Sequence, residues 1–478
     1  MKKTLAAAAI SSALVLGLAG VSMADDTTTP AVAAGGTKIT LDGSIRERGA
    51  YDKNNSTKDA SGKSFYDSRV RLGVNAQVSP EASGYIQLEN EGVHDSGHEN
   101  YNWGTAVSAN NTGGSKMENT DIRQAWINYK PGDFGVKVGH QLLYLGNKMF
   151  FDHAGNDDGS GDDAITAYGA LNGGATNLAA IAIKFSEGTA TNVSSDDING
   201  YVGLVTQKVN DNLNLGANWT YLHSSKANGQ ANELFPYNAA APGLSMSNVG
   251  LTADGKVGAI SYLADGEFQF GTVADSDVPG SHSSDAKGWA AKVGGNYDLG
   301  GGKVGLLFGY GSGTKHDETD HDSHEFINFL THTSYDTLIA GYRAAMPVGV
   351  GANAFRQTWN GGQDSGLSNL TLFQLNGSTK TVCPLTGKDL TLFASLSYMQ
   401  TSEDIVNYLN ADGTDHTANK VGTEADLVAT WDLTPGLIYK IEAGYLWVGD
   451  AYDYMNANGT VQSGDNLMFL RHRLELKF

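Results

Sequence analysis

Cysteine is all but missing: Cys383 stands alone in 478 residues, so no internal disulfide can staple the fold. Proline is also scarce, at 9 residues, and no linker-like stretch divides the chain, which argues for one large unit despite the length. After the first two dozen residues there is no run of about 18 consecutive apolar residues, which excludes a helical membrane span. Basic residues are outnumbered, 32 Lys and Arg against 52 Asp and Glu, for a net charge of −20. Such a chain has no basic face for phosphate, so nucleic acid is not an expected partner. Enzyme signatures are lacking too. Gly62-Lys63-Ser64 has Thr57 where a phosphate loop needs glycine. There is no G-x-S-x-G elbow and no C-x-x-C-H haem site. Neither an enzyme nor a bound cofactor is expected.

What is present begins with a leader. Met1-Lys2-Lys3 is a basic start, Thr4 to Val21 is apolar, and Ser22-Met23-Ala24 places small residues at a cleavage site. Residues 1–24 therefore read as a secretory signal peptide, 25–37 as a periplasmic segment and 38–478 as the folded unit. The 61 glycines are spread evenly, as in an all-β fold with many turns. Short stretches alternate apolar and polar residues with period two. Val70, Leu72, Val74, Ala76 and Val78 alternate with Arg69, Arg71, Asn75 and Gln77, and Leu390, Leu392, Ala394, Leu396 and Tyr398 with Thr391, Ser395 and Ser397. A barrel built this way shows lipid its apolar face and water its polar one, so it can cross a bilayer at negative mean hydropathy.

Connections alternate in length as well. Short turns are predicted at Ser79–Ser83, Pro131–Asp133, Asn210–Asp211, Asp254–Lys256, Gly300–Gly302 and Thr434–Gly436. Long polar segments fall at 92–119, 143–162, 224–245, 312–334, 401–420 and 449–465. Short periplasmic turns with long outer loops are the asymmetry of transmembrane barrels. The pattern predicts about 18 strands, within a range of 16 to 20, and an even number returns both termini to one side. A barrel of that width leaves an aqueous lumen unless something fills it.

The last strand carries the sharpest signal. Met468, Leu470, Leu474, Leu476 and Phe478 share one parity, and Arg471, Arg473, Glu475 and Lys477 share the other. This pattern resembles the closing strand of Gram-negative outer-membrane barrels. The resemblance implies that Phe478 is read by the barrel assembly machinery and that the surroundings are outer-membrane lipid. Val138-Gly139-His140-Gln141 and the acidic segment that follows resemble diffusion porins and alginate-export-type channels. In porins the third outer loop folds inward, and its acidic residues face an arginine cluster. The resemblance also implies a homotrimer, although no interface can be read from the residues.

Arg46, Arg48, Arg69, Arg71, Arg471 and Arg473 all occupy polar parities of strands that barrel closure makes neighbours, so one inner-wall patch is expected. On the porin resemblance, Asp152, Asp157, Asp158, Asp162 and Asp163 would oppose them across a constriction. Opposed charges would set up a transverse field favouring small polar solutes. Arg123, Lys137, Arg356 and Lys440 are outliers to the patch. The simpler reading of the arginines is solvated charge that keeps the lumen wet. The runs His316–Glu325 and His94–Glu99 mix imidazoles with carboxylates, yet lack the spacing of a metal motif and read as solvated loop charge. Acidic loops favour cations at the mouth, and the arginines oppose this deeper in. Three functions fit: a porin passing small hydrophilic solutes or ions, a sheath around a partner such as a multihaem cytochrome, and an adhesin using its outer loops.

Overall fold

The computed structural model describes residues 36–53, 55–91, 101–102, 119–152, 161–186, 197–224, 244–274, 283–320, 322–331, 337–340, 366–410 and 413–478. The leader, and with it the expected cleavage, lies outside the described residues, as do Asp157, Asp158, Arg356 and the run 94–99. Twenty strands hydrogen-bond into one sheet, and two of them, Tyr101–Asn102 and Ser284–Asp285, are two-residue extensions. The remaining eighteen are the staves of a closed antiparallel barrel. In chain order they are β1 (Lys38–Lys53), β2 (Lys63–Gln77), β3 (Ala82–Glu91), β4 (Asn119–Tyr129), β5 (Phe134–Gln141), β6 (Asp162–Leu171), β7 (Thr176–Ser186), β8 (Ile198–Asn210) and β9 (Leu213–Ser224). They continue with β10 (Leu244–Val257), β11 (Ile260–Ala274), β12 (Trp289–Asp298), β13 (Gly302–Gly311), β14 (Thr371–Val382), β15 (Asp389–Leu409), β16 (Asp415–Thr434), β17 (Leu437–Val448) and β18 (Leu467–Lys477). β18 pairs back onto β1, from Ser44 opposite Lys477 to Lys53 opposite Met468, so every stave has two neighbours.

All connections at the end where β1 starts are short, and the long ones lie at the other end. Three expected connections are corrected. The turn read at Asp254–Lys256 moves to Gly258 and Ala259, because Gly258 takes the positive φ of +60° that the tight reversal needs while β10 runs on to Val257. The segment 401–420 is mostly strand: β15 and β16 extend toward each other as a hairpin that pairs as far as Leu409 opposite Asp415. Residues on both faces of this extension are buried, and Ile405 and Ala418 pack with Ala451 of the last outer connection. The connection expected at 312–334 extends instead from Ser312 to Leu370.

Alternation decides which side each residue faces. Ile165, Leu251, Leu306, Leu375 and Leu427 point outward, 50 to 67 % exposed, as a lipid-facing surface requires. The aromatics Tyr129 and Phe134 flank one short turn, and Phe268 and Trp289 pair in register near the other end. Inward positions are polar over most of the circumference. Along β6 to β10 apolar residues are set among them: Ala164, Ala179, Ile181, Ile183, Val202, Leu204, Leu222 and Met246 face inward and are buried.

Two outer connections cover those apolar positions. Leu143, Leu145, Met149, Phe150 and Phe151 of the third connection join one cluster with Phe326, Ile327, Ile339 and Leu367 of the 312–370 connection. Phe151 packs on the inward Phe185 with ring centroids 6.0 Å apart. Phe151–Asp152 pairs in parallel with Phe329–Thr331, which joins the two inserted segments. Each large side chain withdrawn from lumen water contributes about 1.5–3 kcal/mol, enough to hold a segment that would otherwise stay solvated. The expected inward fold of the third loop is therefore present, and a second loop accompanies it.

The facing assignment can be checked by unfolding in lipid vesicles. Leu306→Arg should cost about 2–4 kcal/mol if its site is near mid-membrane, whereas inward Asn376→Arg should change stability by about 0.5 kcal/mol. Equal costs would contradict the assigned orientation.

Candidate functional site

One side of the lumen is a charged wall. Register places Arg46 opposite Arg69 on β2 and opposite Glu475 on β18. Arg48 lies opposite Asp67 on one side and Arg473 on the other, and Arg471 lies opposite Glu442 of β17. The six arginines thus share one wall, all inward and mostly buried. Like charges in direct opposition would repel, and carboxylates set among them relieve this. Arg48 Nε sits 2.6 Å from Asp67, Arg71 Nε 2.5 Å from Glu89, and Arg471 Nε 2.5 Å from Glu442. Arg69 and Arg473 each approach Glu475 at 3.9 Å, and Arg46 approaches Asp67 at 3.8 Å. Two of the outliers belong to the same lattice: Arg123 meets Glu89 at 3.1 Å and Lys440 meets Glu442 at 2.6 Å. Lys137 instead lies 4.5 Å over the Trp126 ring.

The four interleaved acids were missed as site residues, although three of them carried a signal. Asp67 precedes Arg69 by two residues, Glu475 follows Arg473 by two, and Glu442 follows Lys440 by two. Period two therefore already puts them on the arginine face.

The expected acidic partners are distributed differently. Asp152 is fully buried in the inserted third connection, its carboxylate 3.3 Å from Lys148 Nζ. Asp162 faces inward at the start of β6 and is buried. Asp163 does not belong to a constriction. It shares parity with the lipid-facing Ile165, is 72 % exposed, and pairs with His140 on the outside of the barrel at 2.9 Å. A one-residue step along a strand reverses the face, so adjacent Asp162 and Asp163 cannot both line the lumen.

Wall residues also clasp the inserted loops. Lys292 of β12 donates from Nζ to the Asn147 carbonyl at 3.0 Å. Gly146 beside it approaches Thr252, Asn218 and Asp265 of β10, β9 and β11 closely. Gln269 of β11 holds Ile327 by both backbone groups, accepting from its N–H at 2.8 Å and donating to its carbonyl at 2.7 Å. Glu424 of β16 accepts three successive backbone N–H groups, from Leu338, Ile339 and Ala340, at 2.7 to 2.9 Å. The 312–370 connection is thus tied to staves on both sides. Its apolar side chains share one cluster with Leu446 of β17 and with Leu467 and Phe469 of β18, so the loop also reaches the staves that carry the ion-paired wall.

In the outer connections, Glu318, Asp320 and His324 converge, within the run expected to be solvated charge. Lys287 Nζ already lies 3.7 Å from Asp320 and pairs with Asp322. The His324 hydrogen bond keeps the exposed Asp320 carboxyl below its ordinary value. Cys383 opens the short 383–388 turn, its N–H bonded to the Lys388 carbonyl, which is a structural place.

A closed barrel with inserted outer loops and a charged inner wall is the architecture of outer-membrane porin channels. The chain belongs to the alginate export family, whose model matches residues 38–461. Its fold is similar to solved channels of low sequence identity. Acinetobacter baumannii OccAB1 is 12 % identical, with a TM-score of 0.53 over 92 % of this chain and 97 % of that one. Pseudomonas aeruginosa OpdQ is 11 % identical, with a TM-score of 0.52 over 92 % and 98 %. P. aeruginosa OccK8 (OprE) is 10 % identical, with a TM-score of 0.52 over the same shares. No curated protein matches the chain by sequence. The protein is thus an outer-membrane β-barrel porin.

The Glu424 clasp makes a local prediction. A carboxylate accepting backbone N–H groups contributes about 1.5–3 kcal/mol, so Glu424→Gln should speed hydrogen exchange at residues 338–340 roughly 10- to 100-fold. Unchanged protection there would mean that packing alone holds the segment.

Proposed function

We propose that the barrel conducts small hydrophilic solutes and ions by passive diffusion through a lumen narrowed by its third and seventh outer connections. The observation that carries this reading is an inner wall of seven arginines threaded with Asp67, Glu89, Glu442 and Glu475, in a barrel into which two outer connections are inserted. Arginines outnumber those four acids, so the wall keeps a net positive face. Asp152 and Asp162 on the loop side supply opposite charge, and Asp157 and Asp158 belong to the same connection. The resulting transverse field would order water and favour polar over apolar solutes. Wall and loop charge of opposite sign also allow both cations and anions to enter, with selectivity set by their balance.

The inserted segments bear on the alternative of a sheath around a cytochrome. Residues 143–152, 322–331 and 337–340 take up interior space that a sheath would leave to its partner, which favours the porin reading. The alginate named by the family suggests an anionic solute, and the positive wall is compatible with one.

Planar-bilayer recording with the purified protein is the direct test. Open ohmic channels are expected, and removal of residues 144–150 should raise single-channel conductance; failure to conduct would overturn the reading. The field is tested separately by Arg69→Ala with Arg471→Ala. These should shift the reversal potential in a salt gradient toward cations, and an unchanged potential would remove the arginines from selectivity.

A further inference from the structure

Beneath the tip of the third connection, the inner face of β9 to β11 holds two carboxylates that take no part in the ion-paired wall. Asp265 and Glu267 lie two residues apart on β11, share the inward face, and are 4 % and 3 % exposed. Asn218 of β9 and Glu267 stand on either side of Gly250 of β10, and their side chains meet across it. A side chain at Gly250 would collide with both, so glycine is what lets them come together. Thr252 of β10 lies opposite Asp265. Gly146 of the third connection covers this group. The place a methyl group would take there is 3.4 Å from Thr252 Cγ2, 3.8 Å from Asn218 Nδ2 and 4.0 Å from Asp265 Oδ2. Three staves and the loop tip thus converge on one small volume.

These polar groups only partly satisfy one another. Asn248 donates from Nδ2 to Glu267 Oε2 at 2.6 Å, and the Asn218 amide donates to the same carboxylate. Turning that amide over would set its oxygen against the carboxylate, so Asn218 Oδ1 is committed away from Glu267. That oxygen and Thr252 Oγ1 are buried without a hydrogen-bond partner, in residues no more than 5 % exposed. Lys292 and Asn147 stand beside Asp265, yet no donor reaches either of its oxygens in hydrogen-bond geometry. Lys292 is also engaged by the Asn147 carbonyl. Two carboxylates beside one lysine carry a net negative charge, and a buried charge in that state is costly. A second positive charge with an affinity for oxygen is the chemistry that satisfies such a set.

We propose that Asp265, Glu267, Asn218 and Thr252 form a calcium site that fastens the third connection to the barrel wall. Calcium is a hard cation that takes oxygen ligands from carboxylates, amide carbonyls and water. The two carboxylates match its charge, and Asn218 Oδ1 and Thr252 Oγ1 add neutral oxygens. The set offers neither sulfur nor imidazole, which would suit a softer metal. Calcium also tolerates irregular geometry, as ligands drawn from three staves require, whereas magnesium demands a near-ideal octahedron. The ion would lie between Gly146 and the wall, so binding it holds the tip of a connection that narrows the lumen. The site is separate from Glu318, Asp320 and His324, which belong to an outer connection. The inference rests on the inserted position of the third connection and does not depend on which solute passes.

Calorimetric titration of calcium into the purified full-length protein in detergent, after treatment with a chelator, tests the site. One tight site is expected, lost in Asp265→Asn with Glu267→Gln. Thr252→Val, which keeps shape and charge, should weaken it roughly tenfold or more. Adding calcium should slow hydrogen exchange at residues 143–149 roughly tenfold in the unaltered protein, and leave the double variant unaffected. Thr252→Val decides the matter if the double variant does not assemble. Asp320→Asn controls for the outer cluster and should leave the tight site intact. Absence of calcium uptake by the unaltered protein would overturn the proposal. So would uptake that survives the double variant, or exchange at 143–149 that ignores calcium.

Discussion

Inside a bilayer no water is present to satisfy a backbone N–H or C=O, and this one constraint shapes the molecule. A sheet can meet it only by closing, which here is done by the ladder between β18 and β1. Closure leaves each stave with one face toward lipid and one toward the lumen, so period two in sequence becomes inside and outside in space. It also brings the two ends of the chain together. Arginines more than 400 residues apart in sequence, such as Arg48 and Arg473, become direct neighbours for no other reason.

The interior follows from a second balance. Eighteen staves enclose more space than their own side chains fill. The inward apolar positions on β6 to β10 would be exposed to water in an empty bore, and the same holds for Phe150, Phe151, Phe326 and Ile327 if their segments lay outside. Bringing the two sets together covers both. The polar clasps at Lys292, Gln269 and Glu424 then decide where the segments sit, because buried backbone groups need partners. On the ion-paired wall, carboxylates set among the arginines offset a repulsion that would otherwise be unrelieved.

Much of this was legible in the sequence. Strand number, sidedness, the arginine patch and the inward turn of the third connection could be read from alternation, loop length and resemblance. The wall acids Asp67, Glu442 and Glu475 could have been read by the same parity rule. Even the seat of the loops left a trace: Leu178-Ala179-Ala180-Ile181-Ala182-Ile183 is apolar on both faces, as only a stave covered on both sides should be. The reversal at Gly258 and the long hairpin of β15 and β16 were misread, because turn-forming residues within a strand look like turns until pairing is known.

By itself the sequence determined the class of protein, an exported barrel with a polar lumen, because alternation and the need to satisfy backbone groups in lipid leave no other solution. It also determined that the arginines would be neighbours, since closure is implied by the class. Only the tertiary structure decided which charges meet and what narrows the bore. That Asp163 pairs outside with His140, that Glu424 holds the 312–370 connection, and that Lys292 reaches Asn147 depend on register and on where a long loop lands. Those are contacts between residues distant in sequence, with energies of a few kcal/mol each, and no local pattern encodes them.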